Sequence, residues 1–90
     1  MSLISNNTIP DSNIIETVIL EGLIAKHGDI YINLFMDDWM VESCDEQNLI
    51  MHCNSPFHCE VIRKRLLPDI EQIVHNVYGI QPQASITIRW

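Results

Sequence analysis

The chain of 90 residues is long enough for one domain but too short for two, because cores divide into separate domains only at much larger sizes. Hydrophobic residues make up 47% of it and charged residues 19%, a composition that excludes intrinsic disorder. The net charge of −7 opposes tight binding to nucleic acids and to anionic membranes. No apolar run approaches the length of a membrane span, and the N-terminus lacks the pattern of a signal peptide, so we expect a cytoplasmic protein.

The N-terminal part of the sequence predicts a leader and then a helix. Residues 1–12 are polar, and we interpret them as a flexible leader that precedes a single domain, 13–90. Asn13 and Glu16 form a capping-box pattern at the start of that domain. Apolar residues then recur at spacings of three and four, which predicts a helix over Ile14–His27.

A second, shorter helix is predicted directly after the first. Gly28 ends the first helix, because glycine takes a positive φ angle at a helix C-terminus without strain. Asp29 then provides an N-cap for a helix that ends near Asp38. Three bulky side chains are expected on one side of this helix: Tyr31, Leu34 and Phe35.

A β-hairpin is predicted next. Trp39 and Val41 begin its first strand, and the polar residues 45–47 form its turn. The second strand alternates apolar and polar residues, so one of its faces is apolar. That face carries Leu49, Met51 and Cys53.

A long helix and a last strand complete the predicted elements. Ser55 followed by Pro56 is a helix-start signal, and Gly79 ends the helix. Pro68 removes a backbone donor inside this run, so we expect a kink or break near Leu67. The final strand alternates in the same way as the hairpin. Its apolar positions are Ala84, Ile86, Ile88 and Trp90.

The predicted order is helix, helix, strand, strand, helix, strand, which indicates an α+β fold. A small three-stranded sheet then packs with one face against the helices, giving a two-layer domain. A continuous core in so short a chain leaves little room for a substrate pocket, so we expect no enzyme activity and no cofactor.

Thiols and imidazoles cluster in the middle of the chain, but their spacing argues against chemistry. Zinc sites pair ligands two to four residues apart, whereas His52 and Cys53 are adjacent and point to opposite faces of a strand. Cys59 with His58 or His75 could form a thiol nucleophile with its base. The sequence shows no recognisable oxyanion donor to accompany them. We therefore expect no catalytic, cofactor-binding or metal-binding residues, and free cysteines packed as small apolar groups. A small thiol or metal-dependent enzyme is the opposing class.

Two features of the long helix bear on binding. Arg63, Lys64 and Arg65 could contact phosphates, but acidic residues flank them and the chain has no GXXG loop, so we expect at most weak binding of single-stranded nucleic acid. Phe57 follows the helix start and is either an anchor for a protein partner or a plug over the hairpin.

The stretch from Ile32 to Trp90 resembles the N-terminal domain of the bacterial replication initiator DnaA. The resemblance is carried by FMDDWM, by LIMHCNSPFHCEVIRKRLLPDIEQIV, and by the pair YG that precedes the last strand. It implies a pseudo-KH fold used for protein–protein interaction in DNA replication initiation. Domains of this family recruit the replicative helicase or regulatory partners to the initiator.

The resemblance also implies which residues contact a partner. Phe57 matches the aromatic position at the start of the long helix, and Ser55 and Pro56 adjoin it. Tyr31 stands where the family has an acidic residue that contacts helicase. Glu16 stands where an aromatic residue supports self-association, so homo-oligomerisation is not implied.

Two related proteins are alternatives to an initiator domain. The C-terminal domain of the DNA polymerase III tau subunit is similar in fold and binds a polymerase subunit. A stand-alone protein that regulates the initiator is the other alternative. All three are interaction modules, so the class of function is the same.

Overall fold

The computed structural model describes residues 11–36 and 39–88 of the chain. The elements are α1 (Ser12–His27), α2 (Asp29–Phe35), β1 (Met40–Cys44), β2 (Asn48–Cys53), α3 (Pro56–Val61), a π-helical turn (Ile62–Leu66), α4 (Leu67–Tyr78) and β3 (Gln83–Ile88). This order confirms the predicted α+β fold with a small three-stranded sheet packed on helices.

Helix α1 begins earlier than predicted. Its N-cap is Asp11, whose Oδ1 accepts a hydrogen bond from the Ile14 N–H at 3.2 Å, so the prediction of Asn13 as the cap is wrong. Glu16 does not complete a capping box but accepts the N–H of Val41 in β1 at 2.8 Å. Asp11 and Ser12 are thus part of the helix start rather than of the predicted leader, and residues 1–10 lie outside the described residues.

Helix α2 differs from the prediction at both ends and in the face it buries. Gly28, at φ 91°, is its N-cap, and Asp29 lies in the first turn without capping it. The helix ends at Phe35 rather than near Asp38, which lies outside the described residues. Ile32 and Met36 are buried, whereas Leu34 is 62% exposed. Only one face of so short a helix contacts the core, and Leu34 lies on the other face.

The sheet has the strand order β1-β2-β3. β1 and β2 pair antiparallel, with a bulge between Val41 and Ser43, and β2 pairs parallel to β3. The predicted polar turn of the hairpin is confirmed: the Asp45 carboxylate accepts the N–H groups of Gln47 and Asn48, both at 2.7 Å.

One face of the sheet forms the core with the helices. The apolar face predicted for β2 is confirmed, since Leu49, Met51 and Cys53 are all buried. They pack with Ala84 and Ile86 of β3. The helices contribute Ile15, Ile19 and Leu23 of α1, Ile62 and Leu66 of the π turn, and Ile70 and Val74 of α4. Trp90, expected on the same face, lies outside the described residues.

The long helical run is interrupted where Pro68 predicted. The Leu67 N–H donates to the Ile62 carbonyl five residues earlier. This hydrogen bond makes the turn Ile62–Leu66 a π-helical one, which is wider than an α-helical turn. From Ile62 onward the buried residues of this run are four apart, a spacing that drifts by about 40° per repeat on a regular α-helix. The wider turn reduces this drift, so that Leu66 and Ile70 both face the core.

The outer edge of β3 is closed by side chains from the helical run. The Glu71 carboxylate accepts the Ala84 N–H at 2.9 Å, and the Arg63 guanidinium donates to the Ile86 carbonyl at 3.1 Å. These backbone groups face away from β2 and would otherwise lack a strand partner. The edge of β1 is closed in the same way by α1.

Helices α1 and α4 cross closely at Gly22. A Cβ atom at this position would lie 2.7 Å from Cδ1 and 2.9 Å from Cγ1 of Ile73, both too close for carbon atoms. Alanine at this position would displace the Ile73 side chain, which accounts for a glycine in mid-helix, where it weakens a helix by up to about 1 kcal/mol relative to alanine.

We expect Gly22→Ala to lower the free energy of unfolding by about 1 kcal/mol, because overpacking costs more than the gain in helix propensity. Urea unfolding measures the change. In an Ile73→Ala background the same substitution should instead raise stability, since the obstructing side chain is gone. Stabilisation in both backgrounds would contradict the close crossing.

Asp69 joins the C-terminus of α1 to the start of α4. Lys26 Nζ donates to its Oδ1 at 2.6 Å, and His27 Nε2 lies 2.8 Å from its Oδ2. The hydrogen bond from Lys26 is the main reason that the pKa of Asp69 lies below its ordinary value; partial burial opposes this effect and His27 reinforces it.

Asp69→Asn should destabilise the fold by about 1 kcal/mol at pH 7, the usual contribution of a partly exposed charged hydrogen bond. Because the folded pKa of Asp69 is the lower one, its stabilisation is present above the unfolded value of about 4 and is lost as the pH falls through the folded value. Urea unfolding at neutral and acidic pH should therefore show the two proteins converging in acid. A difference that stays constant with pH would exclude the carboxylate as its source.

Candidate interaction surface

Phe57 is an exposed aromatic residue in the first turn of α3. Its side chain is 64% exposed and its ring is tilted against that of His58, with centroids 5.9 Å apart. An exposure this large is incompatible with a plug over the hairpin, which was one of the two sequence interpretations. The exposed ring is compatible with the other interpretation, an anchor for a protein partner.

The residues before Phe57 hold it in a defined place. Ser55 is the N-cap of α3: its Oγ accepts the His58 N–H at 3.3 Å, and its carbonyl accepts the Cys59 N–H at 2.9 Å. Pro56 occupies the first helical position, as predicted, and is exposed. Cys59, two residues after Phe57 in α3, is buried in the core. Its packing fixes the orientation of the first turn of this helix. Ser55 thus positions the surface, while Pro56 and Phe57 form it.

Ile88 lies at the same end of the sheet as Phe57. The parallel pairing places Ile88 opposite Cys53, the last residue of β2. Cys53 precedes Phe57 by four residues in the sequence. Ile88 is 40% exposed, although its alternation with Ala84 and Ile86 indicated a buried position. The pattern correctly identifies the face of the strand, but it does not reveal that the helices cover this end incompletely.

Tyr31 lies on α2 rather than on the α3 start. It is half-buried, packs against the core and stacks on His27 with centroids 5.6 Å apart. The more exposed residues of α2 are Ile30, at 84%, and Leu34, which the sequence did not single out as surface residues. Their spacing of four equals that of Ile32 and Met36, so the pattern alone does not tell the buried face from the exposed one.

Two of the three basic residues of the π turn are engaged within the protein. Arg63 bonds to Glu60 at 3.1 Å as well as to β3, and Lys64 Nζ lies 3.0 Å from the other oxygen of Glu60. The hydrogen bond and charge of Lys64, with a smaller effect of Arg63, lower the pKa of Glu60. Arg65 is exposed. A phosphate would have to compete with Glu60 for two of these three cations.

The cysteine and histidine side chains of the chain's middle are spread over the fold. Cys53 and Cys59 are buried, while His52 is on the opposite, open face of the sheet, where its ring contacts the Glu42 carboxylate and Thr87 Oγ1. Burial, and to a lesser extent the charge of Asp45, raise the pKa of the Cys44 thiol, which favours its less nucleophilic form. Within the described ranges no three His, Cys, Asp or Glu side chains form a group that could hold a metal ion.

The sequence matches no protein-family model, and a search of curated proteins finds no significant relative. Among the helices that the structure describes, none combines the length and apolar character needed to cross a bilayer.

Phe57→Ala should change the free energy of unfolding by less than about 1 kcal/mol, because the exposed ring loses few contacts. Ile70→Ala, at a fully buried position, should cost about 2 to 5 kcal/mol under the same conditions. Chemical denaturation of both variants makes the comparison. A loss at Phe57 as large as that at Ile70 would return Phe57 to the core.

Proposed function

We propose that this chain is a protein–protein interaction domain of bacterial DNA replication initiation, as its resemblance to the N-terminal domain of DnaA implies. It recruits the replicative helicase or a regulatory partner to the initiator in the cytoplasm. The observation that carries the proposal is the exposure of Phe57 on a capped helix start. Exposed aromatic residues held in one place are typical anchors of protein interfaces.

The charge of the chain supports a protein partner over nucleic acid. Residues 28–62 contain seven acidic residues and neither lysine nor arginine. Such a segment repels phosphates and complements a partner with basic residues around an apolar site. The π turn, which contains most of the basic residues, pairs two of them with Glu60. Contact with single-stranded nucleic acid is consequently weak in this proposal.

An interaction role is also supported against the enzyme alternative. The thiol of Cys59, the nucleophile considered in the enzyme alternative, is buried, and so is that of Cys53. A nucleophile and its base must instead approach within hydrogen-bond distance at an accessible place.

The proposal is tested by measuring binding of the wild-type chain to purified replicative helicase by isothermal titration calorimetry. Phe57→Ala should weaken binding about tenfold or more, which corresponds to about 1.4 kcal/mol. Val77→Ala is the matched control, because Val77 is also an exposed apolar residue but lies on α4. It should leave the affinity unchanged.

Three outcomes distinguish the alternatives. Equal affinities of wild type and Phe57→Ala for the helicase would remove Phe57 from the interface. Binding to the polymerase subunit but not to helicase would favour the tau-like alternative, and binding to the initiator itself would favour a stand-alone regulator. Hydrolytic or thiol-transfer activity that disappears in a Cys59→Ala variant would establish the opposing class.

A further inference from the structure

A polar cleft lies between α4 and the segment that enters β3. Its volume is 440 Å³, and its polar walls are Glu71, Gln72 and His75 on one side and Gln81 and Gln83 on the other. None of these residues belongs to the Phe57 surface, so an inference about the cleft does not depend on the proposed function.

The cleft offers hydrogen-bond acceptors beside a carboxylate. Glu71 uses one carboxylate oxygen to accept the Ala84 N–H, which occupies one of about four acceptor positions. Gln72 donates one N–H of Nε2 to Asn76 at 3.0 Å, and its carbonyl oxygen remains as an acceptor for a ligand. His75 Nδ1 is buried and has no hydrogen-bond partner among the described residues. The walls contain neither lysine nor arginine.

A ligand that donates hydrogen bonds and carries positive charge pairs with both the Glu71 carboxylate and the Gln72 carbonyl oxygen. A guanidinium group does both, with five N–H donors in one plane that match pairs of oxygen acceptors. Pro68 and Pro82 add apolar surface to the walls. Guanidinium is more weakly hydrated than ammonium, so it gives up less solvation against such surfaces.

We propose that the cleft between α4 and β3 binds a guanidinium group through Glu71 and Gln72. The group is either the arginine side chain of a peptide or part of a small molecule. The net charge of −7 favours the approach of such a cation from either source.

The test is an NMR titration of the ¹⁵N-labelled chain with N-acetyl-arginine methylamide, with its lysine counterpart, and with the peptide acetyl-Gly-Arg-Gly-amide. The arginine compound should shift the side-chain amide signals of Gln72, Gln81 and Gln83, with a dissociation constant on the order of 1 mM for so small a ligand. The lysine compound should bind several-fold more weakly. No shift at about 20 mM of either arginine probe would overturn the proposal.

Glu71→Gln tests the contribution of the carboxylate, because glutamine can still accept the Ala84 N–H. It should weaken binding about tenfold, whereas Glu21→Gln, the same charge change at an exposed position on α1, should not. If Glu71→Gln unfolds, Gln72→Ala replaces it and should also reduce the affinity. Equal effects of Glu71→Gln and Glu21→Gln would reduce the binding to bulk charge and overturn the site.

The two arginine probes identify the source of the ligand. Binding of the peptide about tenfold tighter than the single amino acid would indicate a protein partner whose backbone also contacts the cleft. Equal affinities would indicate a small molecule. Either result supports guanidinium recognition, while equal binding of arginine and lysine compounds contradicts it.

Discussion

Two glutamates from the helices close the free edges of the sheet, and the arrangement of the layers depends on them. Glu16 of α1 accepts the N–H of Val41 in β1, and Glu71 of α4 accepts the N–H of Ala84 in β3. An unpaired edge N–H costs free energy when it is shielded from water, and an exposed one invites other strands. Each carboxylate removes this problem and also fixes its helix beside a strand. Because both helices are tied to opposite edges, their apolar faces meet over the middle of the same sheet face.

Closing the edges restricts how this domain can meet a partner. A strand added at β3 would have to displace both Glu71 and Arg63, the latter donating to the Ile86 carbonyl. Addition of a strand is therefore disfavoured, although it is a common way for small sheets to bind peptides. The open face of the sheet is polar around His52. Side-chain anchoring remains accessible, for example at the end of the sheet, where Phe57 and Ile88 are exposed.

Local sequence patterns predicted the features that depend on neighbouring residues. They failed for features that depend on contacts between residues far apart in the sequence. The break at Pro68 and the inward face of β2 follow from backbone chemistry and from alternation, and both are found. The partner of Glu16 is 25 residues away in the sequence, so its capping pattern was indistinguishable from a real capping box. The exposure of Ile88 depends on where the helices stop covering the sheet. Phe57 was predicted as a candidate, but only its exposure separates an anchor from a plug.

The position of Phe57 determines how its exposed ring can be used. An aromatic side chain on a flexible loop must be ordered on binding, which costs part of the contact energy. Here Ser55 caps the turn, and Cys59 fixes the same turn in the core, so the backbone that carries the ring is already ordered in the free domain. In the proposed complex, the net charge of −7 acts at longer range and accelerates encounter with a basic partner, an effect that salt screens. In the same proposed complex, the ring acts after contact and slows dissociation. The two contributions are therefore separable, since raising the ionic strength reduces the association rate while removal of the ring increases the dissociation rate.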